Sequence, residues 1–170
     1  ALHCAVASLD LLPTDEVIVS SISFVASANC VLYCNAKPVF CDIEEDTMNI
    51  DPEKIESLIT KNTKAIMLPN LLGNVLNWKK IHKIAKKYDL KIIEDSADTV
   101  GYTFNNQNLG KYSDITTNSM YASHIITGAG FGGMVCFNDK TIYNKAKLLR
   151  GWGRSSAVFN ESEGIKKRFS

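Results

Sequence analysis

The sequence lacks most features that mark membrane, secreted or nucleic-acid-binding proteins. No apolar run approaches the ~20 residues needed to cross a bilayer, and no basic segment followed by an apolar one opens the chain. The 19 basic residues nearly balance the 18 acidic ones, which gives a net charge of +1. We therefore expect neither a membrane nor a nucleic acid among its partners, and we expect a cytoplasmic location.

Cysteine is present, but not in the patterns of a disulfide framework or a metal site. The five cysteines are odd in number, lie mainly within apolar stretches and include no CxxC pair. They are Cys4, Cys30, Cys34, Cys41 and Cys136. Reduced, buried thiols are the simplest interpretation, and no metal site is expected.

The remaining composition is that of a globular protein. Hydrophobic residues make up 45% of the 170 residues and charged residues 22%, which suits one domain with a sizeable core. The chain starts with Ala1 inside an apolar helical pattern, and it stops at Ser170 in a charged cluster. We therefore expect it to be an interior part of a longer protein.

Short apolar segments rich in β-branched residues alternate with longer amphipathic ones along the chain. This pattern predicts strands at Glu16–Ser20, 38–42, 64–68, 90–94, 114–120 and 133–138, and helices at 1–12, 24–35, 51–60, Trp78–Tyr88 and 140–151. A polar turn is expected at 105–110. The alternation indicates an α/β fold with a mostly parallel sheet flanked by helices. In such folds, ligands bind at the carboxyl ends of the strands.

Two predicted strand ends carry candidate ligand-binding residues. Asp95 follows the strand at 90–94, so its carboxylate is expected at the ligand-binding edge, although an isolated aspartate is more often a helix cap. Phe24 follows the strand Glu16–Ser20, where its ring could stack on a flat ligand. A core position is the commoner role for such a phenylalanine.

A third candidate is His124, which precedes the glycine-rich segment 128–133. Dense glycine lets the backbone approach a ligand closely and expose N–H donors to phosphate. The segment is neither a Walker loop nor a GxGxxG turn. A flexible hairpin and a core histidine explain the same residues equally well, so spacing alone leaves catalysis open.

Taken together, six segments resemble the large domain of the DegT/DnrJ/EryC1/StrS family of sugar aminotransferases. They appear in family order over nearly the whole chain and are Asp15-Glu16-Val17-Ile18-Val19, Ala36-Lys37-Pro38-Val39-Phe40, Asn49-Ile50-Asp51-Pro52, Ile93-Glu94-Asp95-Ser96-Ala97, Gly110-Lys111-Tyr112-Ser113-Asp114 and Gly132-Gly133-Met134-Val135. The resemblance implies the fold of type I pyridoxal-phosphate enzymes, with residues 1–170 as an incomplete large domain. It further implies an N-terminal segment and a C-terminal small domain outside this sequence, and a homodimer.

The same resemblance gives four residues a role towards pyridoxal 5'-phosphate or pyridoxamine 5'-phosphate. Asp95 matches the aspartate that pairs with the pyridine nitrogen and keeps the ring electron-withdrawing. Phe24 matches the aromatic that lies against the ring, and Ser119 matches a serine that helps hold the phosphate. Asp98 replaces a glutamine of most family aminotransferases, near the face of the cofactor.

His124 stands where the family has its Schiff-base lysine. Imidazole cannot form that imine, but it can move protons at neutral pH. This resembles the family's nucleotide-sugar 3-dehydratases, which serve deoxysugar and surface polysaccharide biosynthesis. By that resemblance the substrate is a nucleotide-linked 4-keto-6-deoxy sugar, and His124 takes a proton from the methylene of pyridoxamine phosphate. The C3 hydroxyl then leaves, and glutamate, as amino donor, restores the cofactor.

One type within this branch carries an iron–sulfur cluster on cysteines. The matching positions here are Ala97 and 155–157, which hold no cysteine, so no cluster is expected. Two other functions stay open. One is a sugar aminotransferase that tolerates His124 through another amine, and the other is a non-catalytic paralogue that binds nucleotide sugar.

Overall fold

The computed structural model describes residues 1–155 and Val158, so positions 156 and 157, named above for the missing cluster cysteines, lie outside the described residues. The helices in this part of the chain are α1 (Leu2–Ala7), α2 (Ala26–Tyr33), α3 (Pro52–Leu58), α4 (Trp78–Tyr88) and α5 (Lys140–Arg150). The strands are β1 (Glu16–Ser20), β2 (Lys37–Cys41), β3 (Thr63–Pro69), β4 (Lys91–Asp95), β5 (Thr103–Phe104), β6 (Gln107–Asn108), β7 (Ile115–Ser119) and β8 (Gly133–Phe137). Every predicted strand is present, with ends shifted by one residue at most.

The main sheet has six strands in the order β2-β1-β3-β4-β7-β8. Its first five strands are parallel, and β8 alone runs antiparallel, beside β7. This confirms the mostly parallel sheet. The carboxyl ends of β1, β3, β4 and β7 therefore meet at one edge, with β4 near the centre.

Both faces of the sheet are buried under helices. Since side chains alternate along a strand, neighbouring residues such as Val17 and Ile18 enter different cores. The core under α3 and α4 includes Ile18, Ile55, Ile66, Leu68, Trp78, Ile81 and Ile92. The core under α1 and α2 includes Ala5, Val6, Val17, Val19, Val31, Met67 and Ile93. Each large apolar side chain buried in this way stabilises the fold by roughly 1.5–3 kcal/mol, which holds the strand ends in fixed positions.

Local signals set the bounds of α3 and α4. Asp51 caps α3 by accepting the N–H of Glu53 at 2.9 Å, and Pro52 occupies the first turn. Asn77 accepts the N–H of Lys80 at the start of α4, and Asp89 ends that helix in a left-handed conformation. The predicted bounds of α4 are confirmed. Helix α3 starts as predicted and ends two residues early, at Leu58.

Helices α1 and α2 are shorter than predicted. The prediction of a helix over 1–12 is wrong beyond Ala7, because the Ser8 hydroxyl bonds back to the Ala5 carbonyl at 2.7 Å and Asp10 turns left-handed. The prediction for 24–35 places Phe24 inside a helix, but α2 begins only at Ala26. Phe24 instead lies in the connection that leaves the carboxyl end of β1.

The polar turn expected at 105–110 is part of a small hairpin formed by β5 and β6. Asn105 and Asn106 both have positive φ, of 50° and 56°, as a two-residue type I′ turn requires. Among the described residues, no helix combines the length and apolar character needed to cross a bilayer.

Candidate active site

Asp95 is the last residue of β4 and lies at the carboxyl edge between β3 and β7. Its carboxylate is buried, and Oδ1 accepts the Ala97 N–H at 3.2 Å and the Thr117 hydroxyl at a long 3.5 Å. Burial is the main cause that raises the pKa of Asp95, and the charge of Asp98 adds to it. The carboxylate keeps unused acceptor capacity, so a cationic or N–H partner at this point would relieve its desolvation.

Glu94, the preceding residue, is fully buried and differs from Asp95 in having its oxygens occupied. Oε1 accepts hydrogen bonds from the Asn70 amide at 3.2 Å and the Ser96 hydroxyl at 2.7 Å. Oε2 accepts the Gly110 N–H at 2.9 Å and the Ser113 hydroxyl at 3.0 Å. With four donors satisfied, Glu94 ties the loops around the edge together and has a structural role.

His124 lies in the connection between β7 and β8, partly buried. The backbone N–H of His124 donates to the Tyr121 carbonyl at 3.0 Å. The Tyr121 ring stands edge-on to the imidazole, with centroids 6.1 Å apart. The charge of His124 lowers the pKa of Asp95, so the two side chains lie within electrostatic range. The Nδ1 atom is buried and has no hydrogen-bond partner among the described residues. An imidazole and a carboxylate, both incompletely satisfied, thus share this edge.

The glycine-rich segment closes the loop that carries His124. The Met120 N–H donates to the Gly132 carbonyl at 2.9 Å, and the Gly128 N–H donates to the Met120 carbonyl at 2.8 Å. A Cβ at Gly128 would lie 2.8 Å from the carbonyl oxygen of Phe131, closer than packing permits. Glycine is therefore needed at 128 for this closure.

Ser119 and Phe24 reach the same edge from β7 and β1. The Ser119 hydroxyl accepts the Tyr121 N–H at 3.3 Å, and the Phe24 side chain is 74% exposed, so its ring face is available to a ligand. Within residues 1–155, no hydrogen bond or ring contact joins either residue to Asp95 or His124. Asp95 and His124 interact electrostatically at this edge. Ser119 is the last residue of β7 and Phe24 follows the end of β1, without direct contact to that pair within the described residues.

Asp98 bonds to a neighbouring loop. Its Oδ2 accepts the N–H of Leu72 at 3.2 Å, which supports the left-handed backbone of Leu72 at φ 53°. Its charge also helps raise the pKa of Asp95, so Asp98 lies near that carboxylate. Asp98 thus links the loop after β3 to the site.

Two contributors, Thr117 and Tyr121, have no role in the sequence prediction. Thr117 pairs with Asp95 in the register of β7 and β4, and alternation along β7 puts it on the same face as Ser119. That alternation is a signal that sequence reasoning could have used. Tyr121 gave no such signal, because its contact with His124 depends on how the loop closes.

The fold and the site together define an α/β protein with an incompletely satisfied carboxylate and an imidazole at the ligand-binding edge of a mostly parallel sheet. The sequence matches the DegT/DnrJ/EryC1/StrS aminotransferase family over residues 1–170. The chain belongs to this family.

Individual relatives include enzymes of two kinds. GDP-perosamine synthase of Caulobacter vibrioides is 43% identical over 153 residues, covering 90% of this chain and 41% of that protein. An aminotransferase structure from Psychrobacter cryohalolentis has a TM-score of 0.88 and 35% identity, covering 96% of this chain and 42% of its own. A GDP-4-keto-6-deoxymannose-3-dehydratase structure with a trapped PLP-glutamate geminal diamine has a TM-score of 0.88 and 28% identity, covering 99% and 47%. The chain spans less than half the length of these proteins, and its fold is that of pyridoxal-phosphate aminotransferases.

Proposed function

We propose that the full-length protein is a nucleotide-sugar 3-dehydratase that removes the C3 hydroxyl of a 4-keto-6-deoxyhexose. The proposal rests on His124, which by resemblance matches the Schiff-base lysine of the family and whose charge lowers the pKa of Asp95. Imidazole can transfer protons but cannot anchor a cofactor through an imine. The likeness of nearly the whole chain to a solved 3-dehydratase supports this function.

We propose pyridoxal 5'-phosphate, working as pyridoxamine 5'-phosphate, as the cofactor, because the residues present fit it. The buried carboxylate of Asp95 has spare acceptor capacity for a protonated pyridine nitrogen. The exposed ring of Phe24 offers a stacking face, Ser119 offers a hydroxyl to phosphate, and Asp98 lies near Asp95. When bound, the cofactor supplies an electron sink for bonds next to its amine-bearing carbon.

The protein's own part in the reaction is to hold and move protons. We assign His124 as the base, since its side chain is only partly buried and its ring is held by Tyr121 at the edge where the substrate would bind. Asp95 places its carboxyl group at the base of the site, and its burial among β3, β4 and β7 excludes water from that group.

Several further parts of the proposal concern the whole protein. Residues 1–170 form part of a cofactor-binding large domain, with an N-terminal segment and a C-terminal small domain in the rest of the chain. Glutamate is the amino donor, the protein is a homodimer of the cytoplasm, and no iron–sulfur cluster takes part. The additional segments are supported by the relatives, which are more than twice as long as this chain. The role of glutamate is supported by the PLP-glutamate adduct named for the solved dehydratase.

The decisive experiment supplies the full-length protein with cofactor, glutamate and a nucleotide-linked 4-keto-6-deoxyhexose, and follows the product by mass. Loss of the C3 oxygen supports dehydration. Replacement of the ketone oxygen by an amine supports a sugar aminotransferase, the alternative that similarity to GDP-perosamine synthase favours. Cofactor binding without turnover supports a non-catalytic paralogue and rules out both reactions.

A substitution at position 124 tests the proposed base. We expect His124→Asn to lower the dehydration rate by about 10²–10⁴-fold, because the proton-transfer group is lost. Cofactor affinity, measured by absorbance titration, should change little. His82→Asn is the control, since His82 is exposed on α4 and away from the carboxyl edge. Wild-type activity in His124→Asn would exclude the imidazole as the base.

A further inference from the structure

We infer that Tyr121 is a positioning residue that orients the imidazole of His124 through ring packing. The inference rests on the proposed function, in which His124 is the base. A histidine base is commonly oriented by a hydrogen bond to its second ring nitrogen. Among the described residues, no group bonds to the buried Nδ1 of His124. The orientation of the ring must therefore come from contacts of another kind.

Tyr121 makes two such contacts. Its backbone carbonyl accepts the N–H of His124 at 3.0 Å, which closes a tight turn between the two residues. Its ring lies 6.1 Å from the imidazole centroid at an interplanar angle of 75°, a T-shaped pairing that aromatic rings favour. Rotation of the imidazole about its side-chain bonds would break this pairing, so the packing limits the ring to few orientations.

Tyr121 is itself held from both sides. Its N–H donates to the Ser119 hydroxyl at 3.3 Å, at the end of β7. Its ring packs against Phe131 with centroids 5.7 Å apart and a tilt of 51°. The contacts thus run from the rigid sheet, through Ser119 and Tyr121, to His124. The side-chain contacts of Tyr121 with His124 and Phe131 are ring contacts, so we assign the positioning role to the aromatic ring.

The test compares Tyr121→Phe, which keeps the ring, with Tyr121→Leu, which removes it, in the full-length protein loaded with cofactor. We expect Tyr121→Leu to lower kcat for dehydration by about 10- to 100-fold with KM and cofactor affinity unchanged, because the base is misaligned. Tyr121→Phe should stay within about twofold of wild type, since the ring contact is preserved. Tyr33→Leu is the matched control, because Tyr33 forms a similar T-shaped pair with His3, 5.4 Å apart, and has no ring contact with His124 among the described residues.

A second measurement does not depend on turnover. In protein labelled with ¹⁵N-histidine, the His124 signal is identified by its loss in His124→Asn, and we expect it to shift in Tyr121→Leu but not in Tyr121→Phe. An unshifted signal or wild-type kcat in Tyr121→Leu would overturn the inference. So would an equal loss of activity in Tyr121→Phe, which would assign the role to the hydroxyl. If the wild type forms no 3-deoxy sugar, the proposed function fails, while the signal shift still reports whether Tyr121 orients the ring.

Discussion

Asp95 and Glu94 are consecutive carboxylates at the end of β4, and they face opposite sides of the sheet. Glu94 is saturated by four donors, whereas Asp95 has one N–H and one distant hydroxyl. A buried charge that is so poorly compensated lowers stability until a ligand pairs with it. The same strand end therefore carries one carboxylate that stabilises the fold and one whose acceptor capacity is open to a ligand.

This difference predicts opposite effects of Asp95→Asn on stability and on binding. Without cofactor, the variant should be more stable than wild type by about 1 kcal/mol at neutral pH, because a desolvated charge is removed. Cofactor affinity should fall, since the proposed partner of the pyridine nitrogen is lost. Thermal melting of the full-length protein with and without cofactor measures both effects. If Asp95→Asn and wild type had the same melting temperature both with and without cofactor, this role of Asp95 would be contradicted.

The pH dependence of this prediction follows from the raised pKa of Asp95. The folded state holds the Asp95 proton more tightly than the unfolded state does. The stability of the wild type therefore falls as the pH rises from the pKa of Asp95 in the unfolded state through its pKa in the folded state. The stability gap between Asp95→Asn and wild type should therefore be absent at pH values below the unfolded pKa and complete above the folded pKa.

At the scale of elements, Asp139 fixes the start of α5 just beyond β8. Its Oδ1 accepts the N–H of Thr141 at 2.7 Å and of Ile142 at 2.9 Å. These bonds lower the pKa of Asp139, and the bond from the Ile142 N–H has the largest effect. Because the pKa of Asp139 is lower in the folded state than in the unfolded state, its ionised form stabilises the folded protein. This stabilisation is complete above the pKa of the unfolded state and is lost as the pH falls through the pKa of the folded state.

We therefore expect Asp139→Ala to lower the melting temperature at neutral pH, with a loss that shrinks as the pH falls and Asp139 in the wild type becomes protonated. Melting curves at a series of pH values measure this. Asp46→Ala, at an exposed position without a helix cap, should melt like wild type throughout. A loss in Asp139→Ala that is independent of pH would show that the ionised cap does not stabilise α5.

The elements also show what local sequence can predict. Helix α4 follows from its amphipathic pattern with Asn77 as cap, and the start of α3 follows from Asp51 and Pro52. The end of α1 does not, because the turn at Asp10 depends on a conformation that an apolar pattern does not reveal. The hairpin at Asn105 and Asn106 does carry a local signal, two residues that tolerate positive φ.

For the candidate site, too, some features follow from the sequence and others depend on tertiary packing. The resemblance to a family names Asp95 and His124, but their proximity depends on the pairing of β4 with β7 and on a closed loop, neither of which is local. The contact of Tyr121 with His124 and the bond of Asp98 to Leu72 join loops whose paths are set by tertiary packing. Sequence therefore predicts which residues matter better than it predicts which residues touch.

At the scale of the whole molecule, the two cores each contain a buried cysteine that reports on their integrity. Cys30 belongs to the core under α2 and Cys41 to the core under α3. Burial raises the pKa of Cys30 to about 12 and that of Cys41 to about 11. At pH 8, about one Cys41 thiol in a thousand is then the reactive thiolate.

We expect iodoacetamide at pH 8 to leave Cys30 and Cys41 largely unmodified in the folded protein. Both should react at the rate of free cysteine once the protein is unfolded in urea. Peptide mass mapping over time gives the two rates separately. Rapid modification of only one of them would mean that the core on that side of the sheet opens independently.

The antiparallel strand β8 has a consequence for how the family can diverge. Because β8 returns directly beside β7, the chain turns back at the ligand edge through the loop that carries His124, and no crossover helix spans this connection. The pairing of Ser119 with Gly133 closes the base of this hairpin. Apart from Gly128, which the closure of the loop requires, residues of this loop can be exchanged without repacking either core, because none of them belongs to the two cores. A change of residue at position 124 between relatives can therefore be accommodated within one connection, outside the packed cores that hold the sheet.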